Sequence, residues 1–393
     1  MRRWRIVFNV LLVIISVSIC VAGIEYLALR VKKNALAHYQ HSPPRKRIPY
    51  EKGVWERSQA WRNEILLNNH SFHDFDRTYE CEKGERVVFI GDSFVEAYQV
   101  PRDVIFYNQL NADFVEHGID VECMGIGRSA FGVLGYTWLY EKYVKLFERD
   151  LVVVVLYVSN DPRNDHLEYQ SLTGWKPEFV LTPSNTVVPT GQYIKGWRCK
   201  VDLEKSKPLW TVNPLWNKYF PGITWMVTSA SANSWFVYDI ASRLKIVARR
   251  PERRRLHDYT GYLLKERPDY VNEAFAYCVS NLVRLQERVH RDGDEFVVVL
   301  LPGRELADLN WVRDKIANHP DSAELEYDLD WAHGYLDREL AERGVRCYDF
   351  LQDYRAAIED GVKPYIEEDK HLTPAGHALL ADLLKRDLQV FFQ

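Results

Sequence analysis

Ser93 is a candidate nucleophile for covalent catalysis. It ends the tripeptide Gly91-Asp92-Ser93, directly after the apolar run 86–90. A serine that opens a helix just past a strand lies where backbone N–H groups point outward, and such groups stabilise a developing negative charge. The tripeptide alone is a weak signal, because turns use Gly, Asp and Ser freely. It also differs from the Gly-x-Ser-x-Gly nucleophile elbow, since Val95 occupies the last position.

His371 is a candidate general base for such a serine. Thr373 is a favourable N-cap and Pro374 a favourable first helical residue, so a helix is predicted to begin there and His371 to lie in the loop before it. A catalytic imidazole also needs a third group that fixes its tautomer. Asp369 and Glu368 lie immediately upstream of His371, and either could supply that carboxylate.

Two further segments could supply hydrogen-bond donors to an oxyanion. The run Gly125–Gly132 is rich in small residues, which lets its backbone approach a ligand closely. Asn160 follows the most apolar segment of the chain after residue 33, and an Asn side chain in this role contributes about 3 kcal/mol to transition-state stabilisation. The simpler interpretations are an ordinary strand-to-helix turn and an Asn-Asp turn.

A parallel sheet is predicted to position these segments. Runs of apolar, largely β-branched residues without alternation predict strands that are covered on both faces. They are Arg86–Ile90, Val121–Met124, Leu151–Val158, Phe296–Leu301 and Val345–Tyr348. Helical periodicity precedes the last two strands, so an α/β fold is predicted. Binding sites in such sheets lie beyond the carboxyl ends of the strands, where Ser93 and Asn160 fall.

As a set, four segments resemble the conserved blocks of the SGNH hydrolases, also called GDSL esterases. In chain order they are Gly91–Ser93, Gly125–Gly132, Asn160–Asp161 and Asp369–His377. The resemblance extends over 87–384. It implies a three-layer α/β/α sandwich with a mainly parallel five-stranded sheet of the flavodoxin-like type. It also implies acyl transfer through an acyl-serine intermediate, without a metal or an organic cofactor.

The resemblance also implies a role for each candidate residue. Ser93 would be the nucleophile and His371 the base. Asp369 is favoured over Glu368 as the acid, because the Asp-x-His spacing with a following Leu-Thr-Pro-x-Gly-His is similar to that of membrane-anchored and exopolysaccharide-related members. The implied oxyanion donors are the backbone N–H groups of Ser93 and of Ala130 or Gly132, and the Asn160 side chain. The second block departs from the family pattern, which leaves both Ala130 and Gly132 as candidates.

The N-terminus is predicted to be a membrane anchor. Ile6–Ile24 carries no charge and is flanked by Arg and Lys on both sides. One helical span needs roughly 20 mostly apolar residues, so residues 5–29 are interpreted as an uncleaved single-pass helix. A cleaved signal peptide is the alternative. Residues 30–80 would form a juxtamembrane spacer, and an acidic catalytic domain at 81–393 would be extracytoplasmic, in the periplasm or outside the cell.

The rest of the composition limits the function further. The 393 residues are 47% hydrophobic and 27% charged, which is typical of a globular protein, and a net charge of -4 gives a nucleic-acid partner no electrostatic support. An aromatic-rich insertion is predicted at about 166–266. Its six tryptophans could stack on sugar rings, although aromatic side chains more often form a core of their own.

These observations together predict a serine esterase or acyl hydrolase. Its expected substrates are O-acyl esters, acetyl esters above all, of extracytoplasmic glycans, or small esters. The enzymatic alternatives are an O-acyltransferase to polysaccharide and a lipase or thioesterase for acyl chains. The non-enzymatic alternative is an inactive glycan-binding scaffold. The sequence makes no prediction about the oligomeric state.

Overall fold

The computed structural model describes residues 47–56, 62–166, 179–182, 186–189, 261–317, 325–367 and 370–392, with a few residues between 16 and 27. By contacts the chain divides into two compact units, and every element described below belongs to the unit formed by His41–Ser206 and Arg254–Gln393. Most of the predicted anchor at 5–29 and of the insertion at 166–266 lies outside the described residues. Within the described ranges, no helix is long and apolar enough to cross a membrane.

A five-stranded sheet forms the centre of this unit. In chain order the strands of the unit are β1 (Lys52–Glu56), β2 (Arg62–Leu66), β3 (Glu85–Gly91), β4 (Val121–Gly127), β5 (Leu151–Tyr157), β6 (Phe179–Leu181), β7 (Val187–Pro189), β8 (Glu295–Leu301) and β9 (Arg346–Asp349). The central sheet has the order β4-β3-β5-β8-β9, and all of its pairs are parallel. The prediction of a five-stranded parallel sheet is therefore confirmed.

The α-helices lie between these strands or after the last of them. They are α1 (Ser93–Glu96), α2 (Phe106–Glu116), α3 (Val133–Lys142), α4 (Asp161–Asn164), α5 (Asp269–Asp292), α6 (Arg304–Ala307), α7 (Leu309–Ala317), α8 (Trp331–Glu342), α9 (Leu351–Glu359) and α10 (Pro374–Leu388). Short 3-10 helices lie at Arg102–Val104, Val144–Leu146, Gly261–Leu263 and Gln389–Phe391.

Helices cover both faces of the sheet because successive strand residues point in opposite directions. Val152 and Val154 of β5 belong to a core with residues of α3, α5 and α8. Val153 and Val155 belong to a second core with residues of α2 and α10. Both faces of β5 are buried, which explains why its sequence is continuously apolar.

The strand order determines where a site can form. Counting only the strands of the central sheet, the order is 2-1-3-4-5, the flavodoxin-like arrangement. The order reverses between β3 and β5, and ligands bind in such folds beyond the carboxyl ends of the strands at this point. Ser93 follows β3 and Asn160 follows β5.

Two antiparallel hairpins were not predicted from the sequence. β1 pairs with β2 inside the range interpreted as an irregular spacer, and Asn63 donates from its side chain to the carbonyl oxygens of Tyr98 and Val100. The hairpin therefore packs against the segment that follows α1. β6 and β7 form the second hairpin, inside the range of the predicted insertion.

Candidate active site

Ser93 and His371 are in direct contact. Ser93 Oγ lies 2.8 Å from His371 Nε2, a hydrogen-bond distance, although the two residues are far apart in the chain. Ser93 begins α1 immediately after β3, and its side chain is only partly buried. The pair can therefore exchange a proton at a position that a substrate can reach.

The loop before α10 fixes the position of His371. The backbone N–H of Ile366 donates to the His371 carbonyl oxygen at 2.8 Å. Thr373 caps the helix, because its Oγ1 accepts from the Gly376 N–H at 3.1 Å, and Pro374 is the first helical residue. The predicted start of this helix is thus confirmed. The two candidate acids for His371, Asp369 and Glu368, lie outside the described residues.

One aromatic ring lies against the imidazole, and a second ring packs behind the first. The Phe94 ring lies 4.9 Å from the His371 ring and stacks on Tyr157 with 3.9 Å between centroids. Both aromatic side chains are buried. These contacts restrict the rotation of His371, so the hydrogen bond to Ser93 is preorganised by packing.

Asp92 organises the turn that carries Ser93. The sequence did not single it out as a supporting residue. Its carboxylate is fully buried and accepts from the Phe94 N–H at 2.9 Å and from Asn160 Nδ2 at 3.2 Å. Ser93 Oγ lies 3.4 Å from the same carboxylate. Burial raises the pKa of Asp92 above its usual range, while these hydrogen bonds oppose the shift. The only signal in the sequence was its place in the Gly-Asp-Ser tripeptide.

The bond to Asp92 places Asn160 beside the turn that carries Ser93. A side-chain amide carries two hydrogens, so one can donate to Asp92 and the other to an oxyanion. A carboxylate can accept only from Nδ2 of Asn160, so the bond determines the orientation of the side-chain amide.

The loop after β4 brings Ala130 and Gly132 to the same edge of the sheet. The Arg128 N–H donates to the Gly91 carbonyl oxygen at 3.0 Å, which ties the loop to the end of β3. Ala130 is exposed and has a positive φ of 67°. Gly132 is buried, and a Cβ there would lie 2.7 Å from a carboxylate oxygen of Asp165. Ala130 is therefore the more accessible of the two residues that the sequence leaves as candidate oxyanion donors.

Two more buried carboxylates support this edge and were not singled out from the sequence as supporting groups. Asp161 accepts from the Tyr136 hydroxyl at 2.6 Å and from the Tyr157 N–H at 2.8 Å. Asp165 accepts from the Leu134 N–H at 2.8 Å, at the first turn of α3. Burial raises the pKa of Asp165 to about 7, against the opposing effect of the hydrogen bond from Leu134. Both groups connect the end of β5 to α3.

A further polar cluster lies beside the His371 loop. Glu305 is buried and accepts from the Tyr262 hydroxyl at 2.7 Å. Its second oxygen lies 3.9 Å from the Lys370 ammonium, next to His371 in the chain. The site is thus a serine-imidazole pair surrounded by hydrogen-bonded carboxylates. Within the part of the chain that the structure describes, no three His, Cys, Asp or Glu side chains are grouped to hold a metal ion.

Comparison with known proteins gives only distant likenesses. No protein-family model matches the chain, and no curated protein matches it. A solved acetyl xylan esterase structure is 11% identical, with a TM-score of 0.39, and the match covers 77% of this chain and 98% of that one.

Two further solved structures are similar at the same level. A putative acylhydrolase from Bacteroides fragilis is 11% identical, with a TM-score of 0.37 and coverage of 80% of this chain and 92% of that one. A member of the lipolytic G-D-S-L family from Veillonella parvula is 11% identical, with a TM-score of 0.38 and coverage of 77% and 98%. Likenesses this distant carry no argument about the activity of this chain.

Proposed function

We propose that this chain is a serine esterase or acyl hydrolase of the SGNH type that acts through an acyl-Ser93 intermediate. The observation that carries the proposal is the 2.8 Å contact between Ser93 Oγ and His371 Nε2 at the carboxyl edge of the parallel sheet. A serine hydroxyl becomes a nucleophile at neutral pH when an adjacent base accepts its proton. Asn160 lies at the same edge and can donate to the oxyanion.

The first half of the reaction acylates the serine. His371 Nε2 takes the Ser93 proton while Oγ forms a bond to the ester carbonyl carbon, and the carbonyl oxygen becomes an oxyanion. The Ser93 and Ala130 N–H groups and the Asn160 side chain are the proposed donors to it. The intermediate collapses when the bond to the leaving alcohol breaks and His371 returns the proton to that alcohol.

The second half releases the acyl group. Water gives a proton to His371 and attacks the acyl carbon, the bond to Oγ breaks, and His371 protonates Ser93. Asp369 is the proposed acid that orients the imidazole. Support for it comes from the sequence spacing and from the orientation of His371, whose Nε2 faces Ser93, so that Nδ1 is the ring nitrogen that an orienting carboxylate would bind.

The proposed substrates are O-acetyl esters of extracytoplasmic glycans. The proposed location is a single-pass membrane protein with its catalytic domain extracytoplasmic. The uncharged run Ile6–Ile24 supports the membrane span, and translocation of a long C-terminal part is the usual outcome for one N-terminal span. Extraction of cell membranes with alkaline carbonate tests the anchor, because an integral helix stays in the pellet. Recovery of the chain in the supernatant would contradict it.

Acetate release from an acetylated glycan tests the activity. The purified full-length chain should release acetate, Ser93→Ala should abolish release, and Ser280→Ala should behave like the unmodified chain, because Ser280 is exposed on α5 away from the site. Transfer to an unacetylated oligosaccharide and hydrolysis of esters with increasing acyl length are measured in parallel. Full activity in Ser93→Ala would overturn the proposal.

A further inference from the structure

Glu96 connects the nucleophile helix to the neighbouring loop. Its carboxylate accepts from the Ser129 backbone N–H at 3.1 Å and from the Ser129 hydroxyl. The other carboxylate oxygen pairs with the Arg47 guanidinium at 2.6 Å. Glu96 is only 4% exposed, and a buried carboxylate is stable only when its oxygens are hydrogen-bonded or paired.

We infer that Glu96 is a positioning residue for the oxyanion loop, which is the turn formed by residues 128–131. The inference rests on the proposed function, since it assigns a role within that site. Glu96 does not touch the reacting atoms. It acts by holding Ser129, and through Ser129 the neighbouring Ala130 amide, at a fixed distance from Ser93.

The conformation of the oxyanion loop requires such support. Ala130 has a φ of 67°, in the left-handed region that non-glycine residues seldom adopt, and such a residue persists only when its surroundings hold it there. The Phe131 N–H donates to the Arg128 carbonyl oxygen at 3.3 Å and closes the turn. The bonds from Ser129 to Glu96 are the contacts that hold the middle of the turn.

The link to Ser93 is short and rigid. Glu96 is the last residue of α1, the four-residue helix that begins with Ser93. A Cβ at Gly127 would lie 2.2 Å from the Glu96 backbone nitrogen, so the helix packs backbone to backbone against the end of β4. The nucleophile and the oxyanion loop are therefore held by the same element, Ser93 at its start and Ser129 through its last side chain.

Arg47 extends this link to the segment ahead of the hairpin. Its guanidinium neutralises Glu96, and its backbone N–H donates to the Glu51 carboxylate at 2.6 Å. Replacing Arg47 by Met would leave Glu96 with its bonds to Ser129 but without the Arg47 counter-charge. We therefore expect Arg47→Met to lower kcat by a smaller factor than Glu96→Ala.

A double-mutant cycle tests the inference with the full-length chain and a small acetyl ester. Glu96→Ala should lower kcat about 10- to 100-fold with KM little changed, because a displaced donor costs less than a deleted one. Ser129→Ala should lower kcat by a smaller factor, and it should have no further effect in the Glu96→Ala background, because the hydroxyl acts through Glu96. Glu96→Gln keeps one acceptor oxygen and should recover part of the activity.

Controls separate this inference from loss of folding and from failure of the proposed function. Thermal unfolding is followed for each variant, and Glu64→Gln serves as the matched control because Glu64 is exposed on β2. If the unmodified chain hydrolyses the ester but Glu96→Ala keeps its kcat, the inference is overturned and the proposed function stands. Additive effects of the two substitutions, or a change in KM alone, would also overturn it. An unmodified chain without activity would instead overturn the proposed function.

Discussion

Asn160 donates its side-chain amide to the buried carboxylate of Asp92 across 3.2 Å. The bond joins the carboxyl ends of β3 and β5, the two strands between which the order of the sheet reverses. Because Asp92 also accepts from the Phe94 N–H, one carboxylate fixes both the turn that carries Ser93, the proposed nucleophile, and the side chain of Asn160, a proposed oxyanion donor. The relative position of Ser93 and Asn160 is therefore determined before a substrate binds.

Asn160→Ala is expected to impair the chemical step. Loss of one oxyanion donor lowers kcat by about 100- to 1000-fold in comparable sites, and KM should stay close to that of the unmodified chain. Steady-state kinetics with a small acetyl ester measure both constants. Asn310→Ala is the control, since Asn310 is exposed on α7. A change in KM with kcat preserved would show that Asn160 binds the substrate in its ground state instead.

The choice between the two candidate acids is tested by Asp369→Asn and Glu368→Gln. Asp369→Asn should lower kcat by about 10,000-fold, because an amide stabilises the wrong tautomer of the imidazole. Glu368→Gln should keep most of the activity. The reverse pattern would assign the acid to Glu368, and near-normal kcat in both variants would contradict a carboxylate from this segment.

Asp165 should make the stability of the fold depend on pH. Its pKa in the folded chain is raised to about 7 from its ordinary value of 3.8, because the group is buried. The stabilising contribution of its protonated form is fully present below about pH 4 and is lost as the pH rises through 7. Asp165→Asn should flatten the fall in unfolding free energy between these pH values, by up to about 1.4 kcal/mol per pH unit. Urea unfolding of both chains measures this, and parallel curves would contradict it.

Arg86 should be important for folding but not for catalysis. Its side chain is fully buried and pairs with Glu122 at 2.5 Å. It also donates to the backbone carbonyl oxygens of Tyr79, Glu80 and Glu148. Arg86→Ala removes a buried side chain together with its ion pair and its three hydrogen bonds, so the unfolding free energy should fall by about 3 kcal/mol or more.

Urea unfolding checks this prediction for Arg86. The control is Arg338→Ala, since Arg338 is largely exposed on α8 and its ion pair with Glu339 should contribute little. A loss below about 1 kcal/mol in Arg86→Ala would mean that water or other side chains replace the missing donor.

The central sheet was predictable because its signal is local. Every predicted strand overlaps an observed one. The signal is strongest in Leu151–Tyr157, which is buried on both faces and apolar at every position. The start of α10 was equally readable, because Thr373 and Pro374 act within one helical turn. Ser93 and Asn160 could be selected because each follows a predicted strand, and His371 because it lies just before the predicted start of α10.

The supporting groups could not be predicted, because their function depends on contacts between distant segments. Glu96 is one charged residue in a short helix, and only the fold brings it to Arg47 and Ser129. Asp165 likewise acquires its raised pKa from burial against α3. The hairpin formed by β1 and β2 was missed because its strands are short and only partly buried, so alternation of apolar residues is weak.

The most direct test of Ser93 and His371 as the catalytic pair is the reaction of the full-length chain with a fluorophosphonate probe, followed by mass spectrometry of the labelled peptide. One adduct, on Ser93, is expected under native conditions. His371→Ala should slow labelling strongly while thermal unfolding is little changed, because His371 is the proposed base for Oγ. A natively folded chain that gives no Ser93 adduct, or one whose labelling rate does not depend on His371, would contradict the assignment of this pair as the catalytic centre.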